Sequence, residues 1–181
     1  TDVPASARPA LNSMQRNVDR MLRLINQLLE FRRMQNNKLS LALESTEIVG
    51  FVHNICLSFH DTAEQKRIAL SFLPSMKSYQ IYVDQGFVDK AVYNLLSNAF
   101  KYTHKGGSVT VKLKTENDHL NISVADTGVG VPESQRQTIF DRYAHGKMGR
   151  DSLGIGLDLT AELIRTHHGT IRCEANLPQG S

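Results

Sequence analysis

Between residues 10 and 37 the apolar positions Leu11, Met14, Val18, Met21, Ile25 and Leu28 step alternately by three and four, the seam of a heptad repeat, which predicts one long helix. Leu22, Leu24 and Leu29 widen that stripe beyond a two-stranded seam, so the helix is expected in a bundle of about four and not as a stable unit alone. Its polar face, with Arg16, Asp19, Arg20, Arg23, Arg32 and Arg33, is a solvated surface or a docking surface for a partner. Asn36-Asn37 stops the pattern.

A linker follows through 39–45. Thr46 and Glu47 then cap a second helix whose apolar positions Ile48, Val52, Ile55, Phe59 and Ala63 repeat at helical spacing. Residues 68–73 and 79–83 alternate as short strands about a turn at Pro74-Ser75. Asp84 caps a helix running to about Tyr102, with Phe87, Val88, Ala91, Val92, Leu95, Leu96 and Ala99 as its buried face. Residues 108–115 and 119–124 form a hairpin around Asn117-Asp118. The stretch 128–153 is Gly-rich, polar and aperiodic, a length that in a compact domain marks a functional loop or disorder. A helix over 156–166 and a strand near 170–174 close the chain. Helices on one face of a mostly antiparallel sheet make an α+β fold, a two-layer α/β sandwich, over 45–181, preceded by a helical segment and linker over 1–44.

Composition narrows the class. With 181 residues, 40% hydrophobic and 22% charged, the chain sustains one substantial core and an appended element, and is neither disordered nor collagenous. No apolar run approaches the roughly 20 residues of a membrane-spanning helix, and no charged-then-apolar leader opens the chain, so a soluble fragment is expected. Cys56 and Cys173 lie far apart without metal-ligand spacing, which predicts reduced thiols. The net charge of +3 is dispersed, so no nucleic-acid or membrane-surface partner is indicated.

Three segments suggest chemistry. Asn94, Asn98 and Lys101 share one side of the helix that begins at Asp84, opposite its apolar face. An amide oxygen is a neutral hard ligand suited to Mg²⁺, and a lysine one turn on meets a phosphate as a point charge. An ordinary polar helix face has the same pattern. Asp126-Thr127-Gly128-Val129-Gly130 follows a strand directly: the carboxylate can accept from an exocyclic amine, and the glycines let backbone approach a planar ring, although a simple turn also fits. Gly154-Ile155-Gly156-Leu157 opens a helix whose amides can face phosphate, or forms a tight loop; it matches neither the dinucleotide fingerprint nor the Walker loop.

Taken in order, the Asn-x3-Asn-x2-Lys-Tyr helix, Asp-x-Gly-x-Gly, Ile139-Phe140-Asp141-Arg142-Tyr143 and Gly-x-Gly-Leu closely resemble the N, G1, F and G2 boxes of sensor histidine kinases. Those kinases share an ATP-binding fold with DNA gyrase, the MutL repair proteins and a chaperone family. The segment from Arg20 through Phe31 resembles the second helix of the same family's dimerisation hairpin, so the resemblance covers nearly the whole chain.

The resemblance implies that Asn98 coordinates Mg²⁺, with Asn94 close to the same metal and the phosphates. Lys101 and Tyr102 would contact phosphate or ribose. Asp126 would accept from the adenine amino group, Gly128 and Gly130 would shape the adenine pocket, and Gly154, Gly156 and Leu157 would border the triphosphate. Residues 131–153 would form a mobile lid anchored by Phe140, in which Arg142, Lys147 and Arg150 could meet the phosphates or simply solubilise the surface. Hydrolysing relatives carry a Glu at the place of Asn94. An amide takes no proton at neutral pH, so slow hydrolysis and transfer to a histidine are implied.

The implied partners are ATP, a histidine-bearing dimerisation helix of the same parent, a response-regulator receiver domain and a second copy of the chain. The implied location is the cytoplasm, with the parent anchored in the inner membrane. None of the seven histidines stands in the family's acceptor context of His-Glu/Asp followed by Pro-Leu; His60-Asp61 is the nearest imitation and continues as Thr62-Ala63-Glu64. The acceptor is therefore expected to precede Thr1, and a last core strand to follow Gly180-Ser181. Ser152 stands where many relatives have the first glycine of a longer run. The rival readings are a nucleotide-binding regulatory module without transferase activity, and a related ATPase or serine kinase.

Overall fold

The computed structural model describes residues 14, 18, 21, 40–117, 119–141, 156–176 and 179–181. The chain divides into two compact units, Thr1–Ser40 and Leu41–Ser181. In the first, Met14, Val18 and Met21 are helical and exposed.

The second unit runs β1 (Glu44–Glu47), α1 (Ile48–Leu57), α2 (His60–Lys66), β2 (Ala69–Pro74), β3 (Gln80–Val83), α3 (Gln85–Tyr102), β4 (Ser108–Glu116), β5 (His119–Asp126), α4 (Glu133–Arg136) and α5 (Gly156–Thr166). β2, β4 and β5 form a three-stranded sheet, with β2 parallel and β5 antiparallel to β4. The alternation seen in the hairpin sequence turns Val109, Val111 and Leu113 of β4 to the helices, all fully buried, while Lys112 and Lys114 face out. Ile48, Val52 and Ile55 of α1, Phe59, and Val92, Leu96, Ala99 and Phe100 of α3 close that core. Phe59 stacks on Phe100 with ring centroids 5.5 Å apart and tilts against Tyr93 at 4.8 Å. At about 25 cal/mol per Å² of apolar surface, such burial is the main stabilising term.

Helix starts follow the sequence closely. Asp84 Oδ1 accepts from Phe87 N at 3.0 Å, and the Glu47 carboxylate accepts from Val49 N and Gly50 N at 3.2 and 2.7 Å. These bonds, with that from Tyr79 N, hold the Glu47 carboxyl below its ordinary range, the Gly50 N–H contributing most. Both cysteines are free, and burial pushes the Cys56 thiol up to about 11.

Three local expectations are corrected. The supposed linker at 39–45 runs into a strand: β1, too polar to show alternation, pairs with β3 as a separate antiparallel sheet. β2 and β3 form where strands are expected and lie in different sheets: Ser75 N bonds Leu113 O at 2.8 Å at the end of the β2–β4 ladder, while Ile48 N bonds Tyr79 O at 3.0 Å and draws β3 toward β1. The helix expected through Ala63 breaks after Leu57, where the Ser58 hydroxyl bonds Ile55 O at 2.6 Å and competes with the helical pattern. Residues 170–174 form no strand; Ile171 and Cys173 are half-buried between exposed neighbours, but the segment has no ladder partner among the described residues. Arg172 Nε and Glu174 Oε1 pair across it at 2.6 Å, as an extended chain allows.

Candidate functional site

α3 carries two clusters. Asn94 is half-buried in its middle, with Nδ2 3.4 Å from Gly156 O and 3.4 Å from Thr160 Oγ1, both in the first turns of α5. Leu157 follows in that first turn, half-buried. Asn98, one turn beyond Asn94 and also half-buried, has no side-chain hydrogen-bond partner among the described residues. Lys101 is exposed, its Nζ 5.1 Å from the Tyr102 ring centroid.

The second cluster forms where α3 ends. Sheet register places Asp126 opposite Val109, on the helix-facing side at the end of β5. There it is buried, Oδ1 accepting from Gly128 N at 2.8 Å and Oδ2 from the Ser181 hydroxyl at 2.7 Å. Its backbone is gripped too, with Asp126 N donating to Ser181 O and Asn176 Nδ2 donating to Asp126 O, each at 2.7 Å. Val129 N reaches Tyr102 O at 3.4 Å, and a Cβ on Gly128 would collide with that same carbonyl. Gly130 has a φ of +70°, in the left-handed region, with Gly180 packed against it.

The sequence-predicted residues therefore meet at two points, Asn94 with Gly156 and Tyr102 with Asp126 and Gly128. Along α3 the points lie about 12 Å apart at the helical rise, with Asn98 and Lys101 between them. Lys147, Arg150 and Gly154, with Arg142 and Ser152, lie outside the described residues. Phe140 is buried, against a groove of about 230 Å³ lined by Gln137, Asp141, Arg165, Gly169, Thr170 and Ile171. Among the described residues, none of those predicted to bind nucleotide lines this groove.

The arrangement suits a nucleotide. A carboxylate has about four lone-pair positions, of which Asp126 spends two, leaving capacity for an amine donor. Gly128 lets the loop lie against the end of α3 as no larger residue would. Asn98 offers an unspent hard oxygen one turn beyond the point where Asn94 meets the first turn of α5. Sequence reasoning missed Thr160, Asn176 and Ser181; the last two lie 50 and 55 residues from Asp126, so no local pattern marks them.

The same fold recurs in known proteins. The profile of "Histidine kinase-, DNA gyrase B-, and HSP90-like ATPase" matches residues 83–181. Sensor histidine kinase WalK of Bacillus subtilis is 32% identical over 163 residues, covering 87% of this chain and 26% of WalK. Full-length ShkA, crystallised with AMPPNP, superposes with a TM-score of 0.84 at 26% identity, covering 99% of this chain and 38% of that one. ThkA, crystallised with the response regulator TrrA, has a TM-score of 0.74 at 18% identity, covering 99% and 50%. The chain thus spans about a quarter of WalK and half or less of either solved chain. With Asn94, Asn98 and Asp126 set on that fold, the chain belongs to the histidine kinase-, DNA gyrase B- and HSP90-like ATPase family, as a catalytic domain of the sensor histidine kinase type.

Proposed function

We propose that this chain binds Mg-ATP and transfers the γ-phosphoryl group to a histidine on a dimerisation helix of its parent protein. The observation that carries this reading is the placement on one helix of Asn94, beside the start of α5, of Asn98 one turn on, and of Tyr102, beside Gly128 in the loop that follows the buried Asp126. Asp126 accepts from the adenine amino group, and Gly128 and Gly130 form the floor beside the ring. Asn98 presents its amide oxygen to Mg²⁺ with Asn94 alongside, Lys101 and Tyr102 meet phosphate or ribose, and the Gly156-Leu157 end of α5 faces the triphosphate. Gly154, Lys147 and Arg150 complete the phosphate side. Bound magnesium would neutralise charge on the phosphates.

No proton acceptor stands at Asn94, so water is not activated there and ATP hydrolysis is slow. A neutral imidazole already has a lone pair and needs positioning rather than deprotonation. Residues 1–44 serve as one helix of the dimerisation bundle with its linker, and 45–181 as the ATP-binding domain. The exposed helical positions Met14, Val18 and Met21 support pairing with a second copy and with the acceptor helix. A receiver domain is the downstream partner, a reading supported by the likeness to ThkA, which was crystallised in complex with the response regulator TrrA. No helix among the described residues is long and apolar enough to cross a membrane; the domain works on the cytoplasmic side, where ATP is.

The test mixes the chain with a separate polypeptide carrying the acceptor helix and labelled ATP. Acid-labile phosphate on the added histidine is expected. Tight Mg-ATP binding without transfer would favour a regulatory module, and rapid turnover of ATP alone would overturn the role given to Asn94.

A further inference from the structure

α3 ends without the left-handed cap that commonly satisfies a helix's last carbonyls. Thr103, the residue after it, is extended at φ −85° and ψ 133°. That departure carries the following N–H groups away from the helix, so carbonyls of the last turn need donors from elsewhere. Ala99 O still receives Thr103 N at 3.0 Å and the Thr103 hydroxyl at 2.7 Å. Two later carbonyls are met by distant segments. Lys66 Nζ, at the end of α2, donates to Phe100 O at 2.8 Å, and Val129 N, in the glycine loop, reaches Tyr102 O at 3.4 Å. The residues after Lys66 continue as a splint, with Gly106 N donating to Arg67 O and Ala69 N to Gly107 O, each at 2.9 Å. The end of α3 and the turn that follows it are thereby fastened to 66–69. Lys66 is exposed, so it contributes this bond and a charge at the negative end of the helix rather than burial.

We infer that Lys66 is a positioning residue for the base end of the nucleotide site. The inference rests on the nucleotide reading above and deepens it. The glycine loop is seated on Tyr102 O, two residues beyond the carbonyl that Lys66 holds. A Cβ on Gly128 would collide with that Tyr102 carbonyl, so the seat tolerates little displacement. Without the ammonium, Phe100 O has only water to replace a charged donor, and the last turn frays as unheld helix ends do. Val129 N, already at 3.4 Å, then loses its acceptor. Lys66 acts through the place of that carbonyl and not by contact with the nucleotide. A lysine near a helix C-terminus is common and alone implies nothing; this one has its role because the same turn carries the loop that follows Asp126.

The experiment is calorimetric titration of ATP into the whole chain, once with excess magnesium and once with excess EDTA, joined to hydrogen exchange without nucleotide. Lys66→Met keeps an unbranched stem and removes the ammonium, and Lys66→Arg keeps a charged donor. Lys66→Met should weaken binding about fivefold in both titrations, the loss of roughly one hydrogen bond, and Lys66→Arg should restore most of it. Exchange in Lys66→Met should quicken at Val129 N–H and stay as in wild type within β4. Wild-type affinity in Lys66→Met overturns the inference even if its melting temperature falls, since stability alone would then depend on this lysine. A loss seen only with magnesium overturns it by moving Lys66 to the phosphate side, and exchange quickened equally throughout β4 overturns it by marking a merely structural role. Wild-type protein that binds no ATP at all would instead overturn the nucleotide reading together with this one. Should Lys66→Met be unfolded at the temperature of the titration, Lys66→Gln is read by the same comparison.

Discussion

At the Tyr102 end of α3 the polar groups are tied by bonds of 2.7–2.8 Å from four directions onto Asp126, whereas at the Asn94 end the two contacts are 3.4 Å long and Asn98 has none among the described residues. Short bonds to a buried carboxylate are about twice as strong as neutral ones and hold it before any ligand arrives. Long bonds and unspent amides leave the other end to be completed by what binds there. The difference assigns recognition of the base to a preformed end and adjustment around phosphate and metal to a looser one, which suits a transfer reaction whose acceptor must approach the phosphate side.

Five measurements break or sharpen that contrast. The largest effect is expected for Asp126→Ala, which should weaken adenine-nucleotide binding about a hundredfold, since a hydrogen bond to charge and its preorganisation are lost together; wild-type affinity would end the assignment of the base site. Gly128→Ala forces a Cβ against the Tyr102 carbonyl and should cost about 1–3 kcal/mol of folding stability, visible in denaturant titration along with weaker binding. Asn98→Ala should remove the magnesium-dependent part of ATP affinity, about tenfold, with little loss of stability; affinity that still responds to magnesium as in wild type would remove Asn98 from the metal.

Two controls lie away from both ends. His167 Nε2 accepts from Asp84 N at 3.1 Å and Nδ1 bonds Leu163 O at 2.9 Å, tying the end of α5 to the start of α3. His167→Phe keeps a ring beside Phe87 but strands the Asp84 N–H, so a loss of about 1 kcal/mol is expected in thermal unfolding. A change in nucleotide affinity confined to one end would show that this tie positions the site as well. The smallest effect concerns Glu47, whose lowered folded pKa makes its stabilisation complete above its ordinary value of 4.5 and lost as pH falls below that. The melting-temperature gap between wild type and Glu47→Gln should therefore close in acid, and a gap that persists there would refute the charged cap.

Legibility in the sequence was uneven for physical reasons. α3 could be placed from Asp84 to Tyr102 because a capping carboxylate and a broad apolar face are local signals. The hairpin alternation likewise put Asp126 at a strand end. β1 was invisible because Glu44-Ser45-Thr46-Glu47 has no apolar alternation and forms only by pairing with β3. The segment 170–174 misled in the opposite sense, showing a strand-like pattern without an edge to pair with among the described residues. In the site, the residue types that meet a ligand were readable from spacing, while Asn176, Ser181 and Thr160, which hold those residues, were not.

Taken by itself, the sequence determined α3, α5, the hairpin, the order of the motifs and the chemistry available at Asn94, Asn98 and Asp126, since caps, periodicity and functional groups act within a few residues. The tertiary structure alone decided that β2 runs parallel to β4, that Ser181 and Asn176 reach back to Asp126, and which end of the Asn94 amide turns to α5. Those outcomes depend on groups separated by tens of residues, whose meeting is set by the packing of the whole core and not by any local preference of the chain.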